Sequence, residues 1–337
     1  HTGGYINAKR CAALGIAAGI FMVSFMVHFA FSLAFGDFSQ QGFLSADEYD
    51  IVERQVEMTT SLDRIAVIEV NGVIQDLGAS PWIAQAGYHH RSTLQMLEQA
   101  AEDDTVKGVI LQVNSPGGGV VESAEISKRV KELVELEKPV YVSMGSMAAS
   151  GGYYISAPAT KIFANPTTMT GSLGVIMETI NYSQLAENIG IDFETIKSGP
   201  YKDIGSGSRE MTEEERAIFQ SMVDNAYDDF VNVIAEGRNM SKEEVIRIAD
   251  GRIYDGRQAK EVGLIDELGS FEEVTQALKE DIGQDDLGVI RYETGFGLGS
   301  FFQVTAQKMF QSDYDLLGIR QLISTSNSPR MMYLYTE

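Results

Sequence analysis

The chain has 337 residues, and its 26 Lys and Arg against 48 Asp and Glu give a formal charge of −22. This charge repels a polyphosphate backbone, so we expect no nucleic-acid partner. The single cysteine, Cys11, excludes an intrachain disulfide and a cysteine-rich zinc site, and four histidines leave little material for another metal site.

The first element in chain order is an apolar segment of 25 residues, from 11 to 35, without Asp, Glu, Lys or Arg. As a helix, at about 1.5 Å per residue, it is long enough for the roughly 30 Å hydrocarbon core of a bilayer, which predicts an uncleaved transmembrane anchor. Lys9 and Arg10 precede it, so we expect a cytoplasmic N-terminal tail (1–10) and an external C-terminal domain. A cleaved signal peptide is the alternative, but its apolar run is typically only about 7–15 residues.

Residues 36–60 have no sustained periodicity and predict a linker or a weak helix. From residue 61 strands alternate with helices, which predicts an α/β fold with a largely parallel, covered sheet. Strands are expected at 65–70, 109–113, 140–144 and 193–197, and helices at 93–101 and 120–136. Capping boxes, in which Ser or Thr is followed three residues later by Glu, predict further helix starts at Thr212, Ser241 and Ser270.

Two glycine-rich turns follow two of the predicted strands. The first, residues 114–119 (Asn-Ser-Pro-Gly-Gly-Gly), lacks the Gly-Lys-Ser/Thr ending of a phosphate loop, and its glycines let backbone N–H groups point at an anion or oxyanion. The second, residues 147–152, holds the hydroxyl of Ser150 at the apex of a strand-to-helix turn, with the N–H of Gly151 beside it. This arrangement suits a serine nucleophile, although turns of small residues are also common in purely structural roles.

A serine nucleophile needs a proton acceptor. Only His89 and His90 lie outside the N-terminal tail and the apolar segment, in a polar loop where a solvated surface is the ordinary expectation. A lysine is the alternative, and Lys202 lies in a turn after the predicted strand 193–197, a position that suits function. The other lysines downstream of Ser150 are Lys161, Lys197, Lys242, Lys260, Lys279 and Lys308. A lysine base must be uncharged, which requires a dry setting supplied by substrate or by a neighbouring subunit.

Five blocks, in the same order, resemble the signal peptide peptidase A family: residues 114–118, 141–155, 170–175, 197–203 and 249–259. The resemblance extends from the apolar segment to the C-terminus, and the length is that of the short bacterial form. It implies a fold similar to those of Clp protease and crotonase, a spiral of β-β-α units. On this basis we expect an anchor at 11–35, a linker at 36–60, a peptidase domain at 61–290, and a C-terminal extension and tail at 291–337.

The resemblance also implies a Ser-Lys dyad without a cofactor or metal. Ser150 is then the nucleophile and Lys202 the general base, the N–H groups of Gly117 and Gly151 form the oxyanion hole, and Ser172 orients the lysine amine. The implied activity is that of a membrane-anchored serine endopeptidase that degrades signal peptides left in the bilayer after secretion. Adjacent subunits of a ring share active sites in short-form relatives, so a closed homo-oligomer of about eight chains is expected.

Two other functions fit parts of the sequence. A crotonase-type enzyme acting on acyl thioesters also holds an oxyanion with two N–H groups, but it needs catalytic carboxylates at these turns and no serine at position 150. A non-catalytic membrane scaffold on the same fold leaves Ser150 unreactive. The acidic residues Asp224, Asp228 and Asp229 lie at helical spacing and predict a solvated face rather than a metal site.

The last segment, residues 331–335, consists of five large apolar residues after a polar stretch. Such residues near a free terminus should not lie exposed in water. They predict a docked terminal strand. A sharper hypothesis is that they enter the substrate groove as a pseudo-substrate, by addition of a strand.

Overall fold

The structure is a computed structural model that describes residues 50–76, 88–295 and 331–335, together with Gly19 and residues 22–24. The predicted N-terminal tail and most of the predicted anchor, 11–35, lie outside the described residues. Within the described part of the chain, no helix is long and apolar enough to cross a bilayer. All elements below belong to the compact unit formed by residues 49–337.

The strands, in chain order, are β1 (Ile51–Glu57), β2 (Arg64–Asn71), β3 (Val106–Ser115), β4 (Gly117–Gly119), β5 (Val140–Ala149), β6 (Lys161–Ala164), β7 (Met169–Gly171), β8 (Ile176–Met177), β9 (Ile253–Tyr254), β10 (Glu267–Leu268), β11 (Gly288–Thr294) and β12 (Met331–Leu334). The helices are α1 (His90–Glu102), α2 (Val120–Glu135), α3 (Gly151–Ser156), α4 (Ser183–Asn188), α5 (Glu213–Gly237), α6 (Lys242–Ile248), α7 (Gly256–Glu261) and α8 (Phe271–Ile282). The mixed α/β class predicted from the sequence is confirmed.

The central sheet has the order β1-β11-β2-β3-β5-β6-β10. Its strands from β11 to β10 run parallel, and β1 adds an antiparallel edge on β11. Strand β7 pairs in parallel with the end of β5, and β9 pairs with β7. A second, antiparallel sheet has the order β4-β12-β8. The expected parallel arrangement of the main sheet is confirmed.

The sheet is covered on both faces because successive side chains of a strand point to opposite sides. In β2, Ile65 and Val67 belong to a cluster that includes residues of α8. Ala66 and Ile68 belong to a second cluster that includes residues of α1, α2 and α5. All four β2 side chains are fully buried. Continuous apolar runs in the sequence are therefore the signature of a strand buried on both faces.

The predicted helix starts are confirmed at Thr212, Ser241 and Ser270. Each side chain accepts from the N–H of the glutamate three residues later, and that glutamate accepts from the backbone N–H of the cap. A fourth box begins α7 at Asp255, which caps the N–H of Gln258. The Ser/Thr-with-Glu pattern does not reveal this last box because its members are Asp and Gln.

Two segments differ from their predictions. Residues 51–57, within the expected linker, form β1, because β11 offers a free edge along its whole length. Residues 193–197 form no strand, since no neighbouring strand pairs with them in the described chain. Phe193 is 50% exposed and Ile196 is 96% exposed, so these β-favouring side chains remain on the surface.

A bulge in β5 carries the chain out of the sheet toward the second glycine-rich turn. Val113 of β3 pairs with Met144, but Ser115 pairs with Ala148, so three residues of β5 face one residue of β3. The carboxamide oxygen of Asn114 accepts from the N–H of Met147 at 3.2 Å and holds this bulge. After it, β5 continues beside β7 and ends at Ala149, directly before Ser150.

Candidate active site

Ser150 lies where β5 ends and α3 begins. Its φ of 53° and ψ of −115° form a conformation that non-glycine residues rarely adopt, at a typical cost of about 1–3 kcal/mol. The turn is held by two hydrogen bonds of 2.8 Å, from the N–H of Ser150 to the carbonyl of Gly171 and from the N–H of Tyr154 to the carbonyl of Ser150. Ser150 is 1% exposed, and its Oγ has no hydrogen-bond partner among the described residues. A strained, buried hydroxyl in a strand-to-helix turn is typical of a nucleophile.

The two predicted oxyanion residues lie against each other at the start of α3. Gly117 has a φ of +103°, and a Cβ added there would lie 2.6 Å from the amide nitrogen of Gly151. A Cβ added to Gly151 would lie 2.6 Å from Oγ of Ser123 and 3.0 Å from the amide nitrogen of Gly118. Both positions therefore require glycine for reasons of space.

The N–H of Gly117 already has an acceptor, because it donates to Oγ of the buried Ser115 at 3.0 Å. The amide nitrogen of Gly118, one residue later, lies close to Gly151, 3.0 Å from where a Cβ on Gly151 would be. Gly118 thus lies in the candidate site, although the sequence prediction did not single it out. The repeated glycines of residues 117–119 were its signal, but the sequence does not show which amide turns inward.

Ser172 lies next to the turn of Ser150. It follows Gly171, whose carbonyl accepts the N–H of Ser150, and its own N–H donates to the carbonyl of Arg252 at 2.7 Å. With a φ of 51°, Ser172 is, like Ser150, one of four non-glycine residues with positive φ in the described chain. Two such residues so close together concentrate backbone strain at this site.

Lys202 lies on a separate turn, and its side chain is exposed. Its N–H donates to the carbonyl of Gly199 at 3.2 Å. Because Oγ of Ser150 has no partner among the described residues, the Ser150–Lys202 hydrogen bond is not formed within one chain. The structure brings together all the predicted site residues except Lys202.

His90, one of the two histidines considered as the base, makes hydrogen bonds between neighbouring elements instead. His90 is 5% exposed, with Nδ1 2.5 Å from the hydroxyl of Tyr88 and Nε2 2.7 Å from the carboxylate of Glu125. These contacts join the start of α1 to α2. His89 lines a separate cavity beside Glu69 and Tyr292.

The acidic residues Asp224, Asp228 and Asp229 are exposed on α5, as expected for a solvated face. In the part of the chain that the structure describes, no three or more His, Cys, Asp or Glu side chains are grouped to hold a metal ion.

The C-terminal segment lies in this site. Strand β12 is the middle strand of the small sheet, between β4 and β8. The Cα partners are Met332 with Gly119, Tyr333 with Gly118, Leu334 with Gly117, Met331 with Met177, and Met332 with Ile176. The N–H of Tyr335 donates to the carbonyl of Pro116 at 2.9 Å. The predicted docking of the terminal residues as a strand is therefore confirmed.

Tyr333 fills a pocket beside helix α3, which begins directly after Ser150. The residue is fully buried, and its ring centroid lies 4.8 Å from that of Tyr154 and 4.7 Å from that of Phe230. Its hydroxyl donates to the carbonyl of Ala226 at 2.8 Å, and burial raises the pKa of Tyr333, so the phenol keeps its proton. A Cβ on Gly117 would collide with the carbonyl oxygen of Tyr333. The extended tail thus places an aromatic side chain in a pocket and a peptide carbonyl at the glycine turn.

Comparison with known proteins places this chain in a family. A model described as peptidase family S49 matches residues 132–285. A protein of Enterococcus faecium named, provisionally, signal peptide peptidase SppA is 40% identical over 348 residues, which cover 98% of this chain and 99% of the relative. The chain belongs to peptidase family S49. It is a serine peptidase, and the resemblance predicted from the five sequence blocks is confirmed.

More distant relatives share part of their length with this S49 peptidase. Protease 4 of Haemophilus influenzae is 35% identical over 222 residues, which cover 66% of this chain and 35% of the relative. The chloroplastic serine protease SPPA of Arabidopsis thaliana is 31% identical over 224 residues, 66% of this chain and 33% of the relative. A mutant of ClpP1 from Listeria monocytogenes superposes with a TM-score of 0.40 at 17% identity, covering 61% of this chain and 92% of that structure.

Proposed function

We propose that this S49 peptidase is a membrane-anchored serine endopeptidase that degrades cleaved signal peptides, with Ser150 as nucleophile and Lys202 as general base. The observation that carries the proposal is the position of Tyr333 in the groove. Its carbonyl oxygen lies against the turn that flanks the strained, buried Ser150. A serine peptidase binds its substrate as an extended segment with the reacting carbonyl in this position.

The oxyanion hole is proposed to use two backbone N–H groups. Gly151 supplies one, as predicted from the sequence. The sequence predicts Gly117 for the other, but its N–H is engaged by Ser115, whereas the amide nitrogen of Gly118 lies close to Gly151. This geometry favours Gly118 as the second donor, with Gly117 making the turn. Loss of one such donor typically costs about 3 kcal/mol of transition-state stabilisation.

The base is proposed to come from an adjacent subunit. Oγ of Ser150 lacks a partner among the described residues of its own chain, while Lys202 projects from an exposed turn. The segment 178–209 that carries Lys202, here called the lysine arm, exposes large apolar side chains. They include Ile180, Leu185, Ile189 and Ile196, at 68%, 64%, 64% and 96% exposure.

Exposed apolar surface of this extent favours contact with another protein. A second copy of this chain is proposed to cover this surface, because within the described part of each copy Oγ of Ser150 has no partner and Lys202 is exposed. Repetition of this head-to-tail contact closes a ring, which the sequence resemblance puts at about eight chains.

The proposed reaction proceeds through an acyl-enzyme. The uncharged amine of Lys202 takes the proton of Ser150 as Oγ attacks the carbonyl carbon, and the oxyanion forms between the two N–H groups. The lysine ammonium then protonates the leaving amine as the C–N bond breaks. Water, deprotonated by the same amine, hydrolyses the ester and frees Ser150. The hydroxyl of Ser172, close to the turn of Ser150, orients the amine.

Signal peptides are proposed as substrates for two reasons. The Enterococcus faecium relative carries that substrate in its name. The predicted anchor at 11–35, with a cytoplasmic N-terminus, holds an extracytoplasmic site close to the bilayer where such peptides remain. Their apolar character suits a groove whose pocket is formed by the rings of Tyr154 and Phe230.

The finer fold assignment, a Clp protease- and crotonase-like spiral of β-β-α units, is likewise a proposal. Its support is the succession β3, β4 and α2, in which β3 lies in the main sheet and β4 in the small one. Strand β4 itself carries Gly117 and Gly118, so one such unit is proposed to supply half of the site.

The C-terminal tail is proposed to act as a pseudo-substrate. Strand β12 occupies the groove between β4 and β8, and Tyr333 fills the pocket. A substrate must therefore displace this segment before it binds.

The dyad is tested with Ser150→Ala and Lys202→Ala, each expected to abolish hydrolysis of a peptide substrate without loss of thermal stability. Lys260→Ala, at a lysine paired with Glu267 far along the chain, is the matched control and should remain active. A serine-directed covalent probe should label Ser150, as located by mass spectrometry. An unlabelled Ser150 would favour a scaffold, and turnover of acyl thioesters would favour a crotonase-type enzyme.

Sharing of the dyad is tested by co-expressing Ser150→Ala and Lys202→Ala chains. Random mixing in a ring then rebuilds about a quarter of the sites, each from one intact serine and one intact lysine. A dyad within one chain gives no recovery, and that result would refute the shared site.

A further inference from the structure

The turn that carries Lys202 has little support from regular structure. Residues 199–205 lie in no helix or strand, and Lys202 is exposed at its apex. Its backbone hydrogen bonds are 3.1–3.2 Å long, from the N–H groups of Lys202, Ile204 and Ser206 to carbonyls three residues earlier. Such a turn does not by itself hold a long side chain in one place, yet a general base must be positioned closely.

An ion-pair cluster begins at Asp203, directly after Lys202. Arg209 binds the Asp203 carboxylate with both arms of its fork, Nε to Oδ2 at 2.8 Å and Nη2 to Oδ1 at 2.8 Å. Lys197 adds a third contact, with Nζ 2.6 Å from Oδ1, and also donates to the carbonyl of Pro200 at 3.1 Å. Both ends of the turn are therefore joined through one carboxylate. A bidentate Arg–carboxylate pair fixes direction as well as distance.

The same guanidinium connects the turn to the folded core. Nη1 of Arg209 lies 2.8 Å from Oε2 of Glu215, and Nη2 lies 2.5 Å from its Oε1. Glu215 is 1% exposed and forms the capping box of α5 with Thr212. Helix α5 is 25 residues long and packs into the main core through Phe230 and its neighbours. Movement of the turn thus requires that Arg209 leave either Asp203 or the buried carboxylate of Glu215.

The cluster also satisfies the Asp203 carboxylate without a bond to Lys202. Both of its oxygens are engaged by Arg209 and Lys197. A free carboxylate next in the chain to Lys202 would attract its amine and hold it back against its own turn. With Asp203 occupied, the Lys202 amine stays available to point outward.

We propose that Arg209, together with Asp203, is a positioning residue that presents Lys202 to the Ser150 hydroxyl of the adjacent subunit. This inference rests on the proposed function, because it assigns the cluster to the lysine of the shared dyad. Neither residue contacts the reacting atoms; each acts through the geometry of the turn.

The test uses mixed rings, in which each chain contributes only one half of an active site. In the first mixture, Arg209→Gln is combined with Ser150→Ala, so the variant lies on the chain that donates Lys202. In the second, Arg209→Gln is combined with Lys202→Ala, so it lies on the chain that donates Ser150. The reference is the parental mixture of Ser150→Ala and Lys202→Ala chains.

We expect kcat to fall by on the order of 100-fold in the first mixture, with KM unchanged within about twofold, since misplacement by about 1 Å has this effect. The second mixture should match the parental one. Arg54→Gln, which breaks an exposed pair with Glu293 at 2.9 Å on the sheet edge, is the control and should change neither mixture.

If Arg209→Gln lowers the yield of folded protein, Asp203→Asn serves as the second variant, because it keeps the volume of the side chain. Equal losses in both mixtures would mean a general structural role and would overturn the inference, as would full activity in the first mixture. An inactive parental mixture is a different failure, because it refutes the shared dyad itself.

Discussion

The two halves of the proposed dyad lie in regions built in opposite ways. Ser150 ends a strand of the main sheet, is buried, and is held by backbone hydrogen bonds to β7 and α3. Lys202 lies on the lysine arm, where apolar side chains are exposed and Arg209 joins the turn at Asp203 to Glu215 of α5. The nucleophile is therefore fixed by folding, whereas the base is fixed by charge and, as we propose, by assembly.

The largest contrast between the Ser150 region and the Lys202 turn is expected when one methyl group is added to each of them. Gly151→Ala should lower kcat/KM by about 10²–10³-fold, because the new Cβ would lie 2.6 Å from Oγ of Ser123 and crowd the oxyanion donors. Gly199→Ala, in the turn of Lys202, meets nothing within 4 Å and should stay within about twofold of the parent. Steady-state kinetics of both variants measure this contrast, and equal effects would contradict it.

The second prediction concerns the effect of acid on the link between the lysine arm and Glu215. Hydrogen bonds from Arg209 and from the N–H of Thr212 lower the pKa of Glu215 from 4.5 to about 2. Because the pKa is lowered in the folded state, the stabilisation is present above pH 4.5 and disappears as the pH falls toward 2. Glu215→Gln should therefore lower the free energy of unfolding at pH 7 by roughly 1.5–3 kcal/mol, and the difference should shrink toward pH 2.

Urea unfolding at a series of pH values measures this difference. The control is Glu213→Gln, at an exposed residue two positions earlier in the same helix whose pair with Arg216 is 3.9 Å long. A Glu215→Gln deficit that does not depend on pH would show that the carboxylate is not the cause.

The apolar surface of the lysine arm gives a third contrast. Ile196 is 96% exposed in one chain, so Ile196→Ser should leave the unfolding of that chain unchanged. If a neighbouring subunit covers this side chain, the contact loses up to about 1.5–3 kcal/mol and the assembly dissociates at higher protein concentration. Sedimentation across a dilution series, with activity measured in parallel, checks the result. Unchanged assembly would remove Ile196 from the interface.

The smallest expected effect concerns the tail. Deletion of residues 329–337 should raise the turnover of small peptides a few-fold, because the substrate no longer competes with β12. Tyr333→Ala in the full-length chain empties the pocket and should give part of the same gain. The initial rate is the measurement, and Tyr335→Ala is the comparison outside the pocket. Identical rates in the folded, shortened enzyme would dismiss the pseudo-substrate.

Local sequence signals predicted the region of Ser150 well. The apolar runs of β2, β3 and β5, the capping boxes and the small residues before α3 all express short-range preferences of the backbone. The lysine arm was predicted less well. Residues 193–197 favour a strand but have no strand to pair with in the described chain, and the bond between Asp203 and Arg209 depends on how a turn closes.

The pocket of Tyr333 was missed for a different reason. Tyr154 and Phe230 have the spacing of ordinary core positions on their helices, and only the packed structure shows that they surround a groove. In the same way, the sequence indicates a glycine-rich oxyanion turn, but the inward amide depends on the hydrogen bond that occupies Gly117.

The position of β12 between β4 and β8 limits which polypeptides can be cut. A chain in that position has neighbours along both edges, so it must arrive with the hydrogen-bonding groups of both edges unsatisfied. Helices and strands of finished proteins do not meet this condition without first unravelling over several residues. If a substrate takes the place of β12, as we propose, this architecture spares folded proteins and restricts the enzyme to polypeptides without tertiary structure of their own.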